Sequence, residues 1–202
     1  MPIAFTPPVS DTPPEAEWVC TRSGRKFFPL TPAREQIAIE DIAYGLAGRY
    51  RFGSQSPRRY TVAQHSVEVC RWVHAHHGSS DACLWGLLHD AAEAWLVDWQ
   101  RPVKWRQMWW DGEILIPFRE IEDNILCVVA TEFHLPFPAA RLAQQGDLAQ
   151  LRRERRDLFD GRQPVWENLP AISDEPPLPA ILDPRAAEEE FLGEFYKWFN
   201  EK

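Results

Sequence analysis

LLHDAAEAWLVD, residues 87–98, places three ionisable side chains inside an apolar run. His89 and Glu93 are four positions apart, so they project from one side of a helix, with Asp90 beside them. Burying such groups costs free energy unless they are paired or bound to a metal. Imidazole and carboxylate groups together suit a divalent ion. The stretch therefore predicts a buried helix that carries part of a metal site.

The preceding segment, TVAQHSVEVCRWVHAHH (residues 61–77), predicts a second buried helix with Thr61 as its N-cap. His65 lies on the same face as the apolar residues of this helix, so it can approach His89 and Asp90 from a neighbouring element. An adjacent His-Asp pair alone is common by chance and is compatible with a helix cap or a surface pair. The apolar setting, with Glu93 one turn away, favours a metal site.

Composition limits the function classes. A net charge of −8 argues against a broad basic face that binds long nucleic acid, although a local pocket can still hold a small phosphorylated ligand. The four Cys are scattered without a CxxC pair, and the N-terminus lacks the basic and apolar regions of a signal peptide. No apolar run approaches the ~20 residues that cross a bilayer. We expect a cytoplasmic protein that has free thiols and does not bind membranes.

The rest of the chain predicts one mainly helical domain. Residues 1–17 form a Pro-rich flexible arm, and Ser23-Gly24 between two short apolar runs predicts a small hairpin. Helices are predicted at residues 37–48, 81–96, 113–133, 138–159 and 186–199, with Asp81 as the cap of the second. The Pro-dense residues 161–184 are predicted to be mostly irregular. We therefore expect a core over residues 18–160 and a C-terminal extension over residues 161–202.

Several motifs together resemble a known family. They are IEDIAYGL (residues 39–46), RYRF (49–52), YTVAQHSVEV (60–69), LLHDAAEAWLVDWQRPVKW (87–105) and DLAQLRRERRDL (147–158). They are similar to the H…HD…D pattern of HD-domain phosphohydrolases, in particular small bacterial 5′-deoxynucleotidases and phage deoxyadenosine triphosphate triphosphohydrolases. The resemblance covers roughly residues 18–160 and implies an all-α fold, a single HD-domain helical bundle. From the residues themselves we add a small N-terminal β-hairpin and an extended C-terminal segment whose helix packs on the core.

The resemblance implies four metal ligands, which are His65, His89, Asp90 and Asp147. Asp157 is an alternative to Asp147, but Asp147 shares its helical face with Leu151 and Glu154, which favours it. Two imidazoles and two carboxylates leave room for water, so the implied cofactor is a divalent ion: Mn, Co, Fe or Mg, with Zn as a further option.

Two further carboxylates match family positions with catalytic roles. Glu93 matches the acidic residue that orients or deprotonates the attacking water, and a carboxylate beside a metal-bound water suits that role. The alternative is that Glu93 only supports a ligand imidazole. Asp98 matches an aspartate near the sugar or the water, and its alternative is a residue that ends a helix before a loop.

Three residues match substrate-binding positions of the family. Arg51 offers a planar fork to phosphate, and the ring of Phe52, where the family's nucleotidases carry Trp, can stack on a base or pack against the sugar. Lys104 is a second candidate contact for phosphate. The alternative for both cations is a solvated surface charge.

The enzyme hypothesis is a metal-dependent phosphohydrolase that acts on nucleotides, with deoxynucleotides preferred. It releases phosphate from a 5′-monophosphate or triphosphate from a deoxynucleoside triphosphate. The alternative is a catalytically inactive HD-fold protein that binds nucleotides or regulates another process; the presence of Glu93 and all four ligands counts against it. The implied partners are a small-molecule nucleotide and further copies of the chain in a homo-oligomer.

Overall fold

The computed structural model describes residues 17–111, 113–161 and 176–202. The described residues are mainly helical, and their α-helices are α1 (Ile39–Ala47), α2 (Val62–Ala75), α3 (Ser80–Leu88), α4 (Arg101–Lys104), α5 (Phe118–Glu132), α6 (Arg141–Leu158) and α7 (Pro184–Asn200). Short 3-10 turns lie at Arg34–Gln36, Arg51–Ser54 and Ala91–Ala94. The mainly helical fold is thus confirmed. Of the predicted flexible arm only Glu17 is described, and residues 162–175 of the predicted irregular segment also lie outside the described residues.

Two short antiparallel hairpins accompany the helices. The first pairs β1 (Val19–Cys20) with β2 (Lys26–Phe27), as predicted, and Gly24 in its turn has the positive φ of 81° that favours glycine. The second pairs β3 (Met108–Trp110) with β4 (Leu115–Pro117). The predicted helix over residues 113–133 was therefore wrong at its start, because α5 begins only at Phe118.

Helix α2 lies at the centre of the bundle and contacts α1, α3, α6 and α7. Its predicted cap is confirmed, since the Thr61 hydroxyl accepts a hydrogen bond from the Gln64 amide at 3.1 Å. Fully buried Val62, Val69 and Val73 anchor the helix in the core. A side chain on α2 is therefore held rigidly, which matters for His65.

Helix α3 is shorter than the sequence predicts. Ser79 is its N-cap and accepts from the Ala82 amide at 3.3 Å, so the predicted cap at Asp81 was wrong. The single helix predicted over residues 81–96 was also wrong: α3 ends at Leu88, and the chain continues through His89 and Asp90 into the 3-10 turn Ala91–Ala94.

Helix α1 stabilises the break after α3. Gly45 lies so close to the turn that an added Cβ would be 2.7–2.8 Å from atoms of Ala94. The Arg49 guanidinium donates to the carbonyl oxygens of Glu93 and Ala94 at 2.6 and 3.1 Å. These carbonyls therefore do not need helical partners, and tertiary contacts override the local preference for helix.

Helix α7 contacts α1, α2 and α3, where Phe191 and Phe195 are buried. The segment before it is tied to α2, because the Gln64 side chain donates to the Ala180 carbonyl at 2.7 Å and accepts from the Leu182 amide at 3.1 Å. Within the part of the chain that the structure describes, none of the helices combines the length and the apolar character that spanning a bilayer requires.

The close approach at Gly45 gives a stability prediction. We expect Gly45→Ala to lower the free energy of unfolding by about 1–3 kcal/mol, because the new methyl group overpacks a contact with backbone. The matched variant is Gly193→Ala in α7, where a Cβ meets nothing within 4 Å. It should raise stability by about 0.5–1 kcal/mol, the ordinary gain from replacing a helical glycine. Urea unfolding of both variants is the measurement, and equal effects would contradict the packing argument.

Candidate functional site

The break after α3 turns three side chains into one pocket. His89 is the C-cap of α3, Asp90 leaves the helical conformation at φ −102° and ψ 15°, and Glu93 lies in the following 3-10 turn. All three residues line a pocket of about 760 Å³. The irregular backbone therefore brings together groups that a regular helix would space along its axis.

His65 reaches the same point from α2. Its Nε2 lies 3.3 Å from Nε2 of His89 and 3.8 Å from Oδ2 of Asp90, and the last two atoms are 3.3 Å apart. Donor atoms bound at ~2.1 Å to one ion and ~90–110° apart are about 3.0–3.4 Å from each other. These three residues can therefore hold a metal ion.

Helix α6 supplies a fourth candidate ligand. Oδ1 of Asp147 lies 3.4 Å from Nε2 of His65 and 4.0 Å from Nε2 of His89. The alternative, Asp157, instead binds the Arg156 guanidinium at 2.6 Å and the Leu178 amide at 2.8 Å. The structure thus brings Asp147, rather than Asp157, to the two imidazoles.

The other ring nitrogens orient both imidazoles. Nδ1 of His89 lies 2.8 Å from the Gly86 carbonyl, which can only accept, so this nitrogen carries the proton. Nδ1 of His65 donates to the carboxylate of Glu154. Both Nε2 lone pairs therefore face each other, and they repel unless a proton or a cation lies between them.

The electrostatics of the four residues favour bound positive charge. Burial and Arg51 lower the pKa of His65, but Glu154 and Asp147 outweigh them and raise it to about 9. Burial alone would raise the pKa of Asp147, yet the hydrogen bond to His65 and the nearby His89 lower it to about 2. The pKa of Asp90 is likewise held well below its ordinary value, against burial, by His89 and Arg51.

Glu93 is a buried carboxylate with one bound and one available oxygen. Oε1 accepts from the Lys104 ammonium at 3.1 Å, whereas Oε2 is buried with no hydrogen-bond partner among the described residues. Burial, reinforced by Asp90 and Asp98, raises the pKa of Glu93 well above its ordinary value. Oδ2 of Asp98 is likewise buried without a hydrogen-bond partner among the described residues, and burial also raises the pKa of Asp98.

Lys104 lines the pocket but already has two carboxylate partners. Its ammonium lies 3.1 Å from Oε1 of Glu93 and 2.7 Å from Oε1 of Glu122, a residue of α5. A phosphate contact from Lys104, as predicted from the sequence, would have to extend or replace one of these ion pairs. In the structure Lys104 holds Glu93.

Arg51 is buried beside the candidate metal ligands. Its Nη1 lies 3.5 Å from Oδ2 of Asp90, and its Nε donates to Oε2 of Glu154 at 3.2 Å. Phe52 follows with φ 58°, a left-handed conformation that Gln100 supports by donating to the Phe52 carbonyl at 2.7 Å. The Phe52 ring packs edge-on against Phe159 at 5.0 Å. Arg51 and Phe52 both line the pocket.

Comparisons with known proteins give relatives without a stated function. The chain is 32% identical over 157 residues to the uncharacterized protein YfdR of Escherichia coli, a match that covers 76% of this chain and 81% of that protein. The chain belongs to the YfdR family. It is also 33% identical over 149 residues to an uncharacterized protein of Rhodobacter capsulatus, with 70% of this chain and 72% of that protein covered. No protein-family model matches the chain.

The structure places nine of the residues singled out from this YfdR-family sequence at or directly behind one pocket, and it leaves Asp157 outside the pocket lining. Its lining includes eight of them, which are Arg51, Phe52, His89, Asp90, Glu93, Asp98, Lys104 and Asp147. His65 is fully buried behind the lining. Sequence reasoning missed Glu122 and the bridging role of Glu154. The spacing of Glu154, seven residues after Asp147 and therefore on the same helical face, was the available signal.

The affinity of the protein for a metal ion should increase with pH. In the metal-free protein His65 stays protonated up to about pH 9, whereas Asp147, with a pKa of about 2, is ionised throughout. Binding of Mn²⁺ must displace the His65 proton, so the association constant should rise between pH 6.5 and 8.5, by up to about tenfold per pH unit for each proton released.

Isothermal titration calorimetry in buffers of different ionisation enthalpy measures both the affinity and the protons released. His89→Ala should abolish the binding, and exposed His74→Ala should leave the affinity and its pH dependence unchanged. A Mn²⁺ affinity that does not change with pH would show that neither imidazole is a ligand.

Proposed function

We propose that this protein is a metal-dependent phosphohydrolase of the HD-domain type that acts on nucleotides, with deoxynucleotides preferred. One observation carries the proposal: two imidazole nitrogens, two aspartate oxygens, a buried carboxylate with an unpartnered oxygen and a buried arginine converge on a single pocket. Such a set of groups suits metal-assisted hydrolysis of a phosphate ester or anhydride.

The donor set fits a divalent ion. The ligand atoms offered are two neutral imidazole nitrogens and two carboxylate oxygens, a combination that Mn, Fe, Co, Mg and Zn accept in different degrees. Both imidazoles are oriented by hydrogen bonds through Nδ1, as is usual for histidines that bind metals. We therefore assign the metal to His65, His89, Asp90 and Asp147.

A divalent ion held there supplies positive charge to the phosphoryl group and lowers the pKa of water. Glu93 accepts the proton of the attacking water at Oε2, while Lys104 fixes Oε1 and with it the direction of the carboxylate. Asp98 offers a second buried oxygen to the same space and binds either this water or a sugar hydroxyl.

The rest of the pocket suits a nucleotide. Arg51 presents positive charge beside Asp90, where a phosphoryl oxygen would need compensation. Trp99, Trp105 and Leu126 provide an apolar side of the same pocket, and its volume of about 760 Å³ is within the range of sites for molecules of nucleotide size. A phosphate alone would use a small part of this space.

A nucleotide panel tests the proposed function. Purified protein loaded with Mn²⁺, Co²⁺ or Mg²⁺ should release inorganic phosphate from deoxynucleoside monophosphates or triphosphate from deoxynucleoside triphosphates. Chromatographic analysis of both products separates the two reactions in one measurement. A protein that binds the metal but releases neither product from any nucleotide would instead be a binding protein on the same scaffold.

Glu93→Gln should separate metal binding from turnover. The amide keeps the shape and the contact with Lys104 but cannot take a proton, so kcat should fall by about 10²–10⁴-fold while the Mn²⁺ dissociation constant stays within about threefold. Exposed Glu120→Gln on α5 is the matched control and should keep full activity. Ordinary turnover in Glu93→Gln would show that another group handles the proton.

A further inference from the structure

Glu154 of α6 is a completely buried carboxylate between two functional side chains. One of its oxygens accepts from Nδ1 of His65, and the other accepts from Nε of Arg51 at 3.2 Å. Neither partner is close to Glu154 in sequence, since they lie 89 and 103 residues away. Three separate elements therefore meet at this carboxylate.

Burying a carboxylate costs several kcal/mol of hydration unless charged partners replace the water. The Arg51 guanidinium, which is always protonated, donates to one oxygen of Glu154 at 3.2 Å, so the carboxylate is paired as an anion. Ionised Glu154 can only accept hydrogen bonds. It therefore requires a proton on Nδ1 of His65, and this leaves Nε2 as the nitrogen that faces His89, Asp90 and Asp147.

The second oxygen has a different effect. The Nε contact with Glu154 anchors one edge of the Arg51 guanidinium and leaves Nη1 directed at Asp90, 3.5 Å away. Without Glu154, Arg51 would be a buried cation with Asp90 as its nearest carboxylate, and it would compete with the metal for that ligand. The geometry therefore gives Glu154 two tasks, one on each side of the candidate metal site.

We propose that Glu154 is a positioning residue that couples the metal site to the phosphate-binding arginine. It selects the tautomer of His65 that binds a metal through Nε2, and it holds Arg51 in the orientation that contacts the phosphoryl group. The catalytic part of this inference rests on the proposed function. The effect on metal binding does not, because it requires only that His65 is a ligand.

A second buried Glu–Arg cluster provides a matched control. Glu68 on α2 pairs with Arg153 and with Arg71, at 3.1 Å in each case. Glu68 is also buried, at 8% exposure against 0% for Glu154, and it lines neither the pocket nor the candidate metal site. Loss of the Glu68 charge therefore reports what breaking a buried ion pair does to the fold alone.

The experiment compares Glu154→Ala, Glu154→Gln and Glu68→Gln by calorimetric titration with Mn²⁺. Glu154→Ala should raise the Mn²⁺ dissociation constant by about 10–100-fold, the usual effect of removing the partner of a ligand imidazole. Glu154→Gln should raise it by about three- to tenfold, because the amide oxygen still accepts from His65 but lacks the negative charge. Glu68→Gln should lower the thermal midpoint yet leave the dissociation constant within about twofold.

Steady-state kinetics with the nucleotide that the protein hydrolyses fastest test the effect of Glu154 on Arg51. In Glu154→Gln the amide nitrogen faces a donor on Arg51. KM should therefore rise at least fivefold when it is measured at saturating Mn²⁺, where both proteins are fully loaded with metal. If the wild-type protein hydrolyses no nucleotide, the proposed function fails, and the Mn²⁺ titration still decides the role of Glu154.

NMR spectra of the histidines report the tautomer of His65, which a purely structural role of Glu154 would not change. In Zn²⁺-loaded protein with ¹⁵N-labelled histidine, His65 should carry its proton on Nδ1, and Glu154→Gln should retain this tautomer while Glu154→Ala loses it. If Glu154→Ala does not fold, Glu154→Gln decides by its affinity and KM. Wild-type Mn²⁺ affinity and KM in Glu154→Gln, or in both variants, would overturn the proposal.

Discussion

Burial of charge is the constraint on which the site depends. Six buried or half-buried carboxylates lie in or directly beside the pocket, and they are Asp90, Glu93, Asp98, Glu122, Asp147 and Glu154; a seventh, Asp123, lines the pocket but is exposed. The nearby permanent cations in the interior are Arg51 and Lys104, and each already contacts two of the acids. Exposed Arg101, whose Nη2 lies 3.9 Å from Oδ2 of Asp147, compensates this excess of negative charge in part, and the rest must come from protons on the two imidazoles and on the raised-pKa acids, or from a bound cation. A divalent ion would relieve the excess at the point where the candidate ligand atoms are closest.

The scaffold places these groups by packing that is remote from the ligand atoms. His65 is fixed because α2 is surrounded by other helices, and Asp147 because α6 contacts both α2 and α3. Glu93 depends on α1, since Gly45 admits the 3-10 turn at close range and Arg49 holds its carbonyl groups. The turn is therefore held by tertiary contacts without having helical geometry. In the proposed function, such support would fix the direction of the Glu93 carboxylate toward the water.

Sequence periodicity was sufficient for the parts of the site that lie inside regular helices. It predicted that His65 faces inward, and the helical face shared with Leu151 and Glu154 selected Asp147 over Asp157, as the geometry also does. The break after Leu88 could not be predicted, because AAEAW is compatible with helix, and the turn is favoured by tertiary contacts with α1, α5 and Arg49 that the local sequence does not show. The hairpin of β3 and β4 was missed although Asp111-Gly112 between apolar runs is a turn signal. The pairing of Lys104 with Glu122 joins residues of two different elements, and no local pattern encodes it.

Different elements of the fold supply the two sides of the pocket. The candidate metal ligands come from α2, the end of α3 and α6, which pack on one another in the core. Trp99, Trp105 and Arg119 line the other side, from the loop and short helix after the 3-10 turn and from the start of α5. Trp105 is 73% exposed, so substitution there removes pocket surface without opening the core. Under the proposed function, changes on that side would alter which base or sugar fits while the geometry of the candidate ligands persists. Buried charge would then constrain the reaction class, and the exposed side of the pocket would set the substrate.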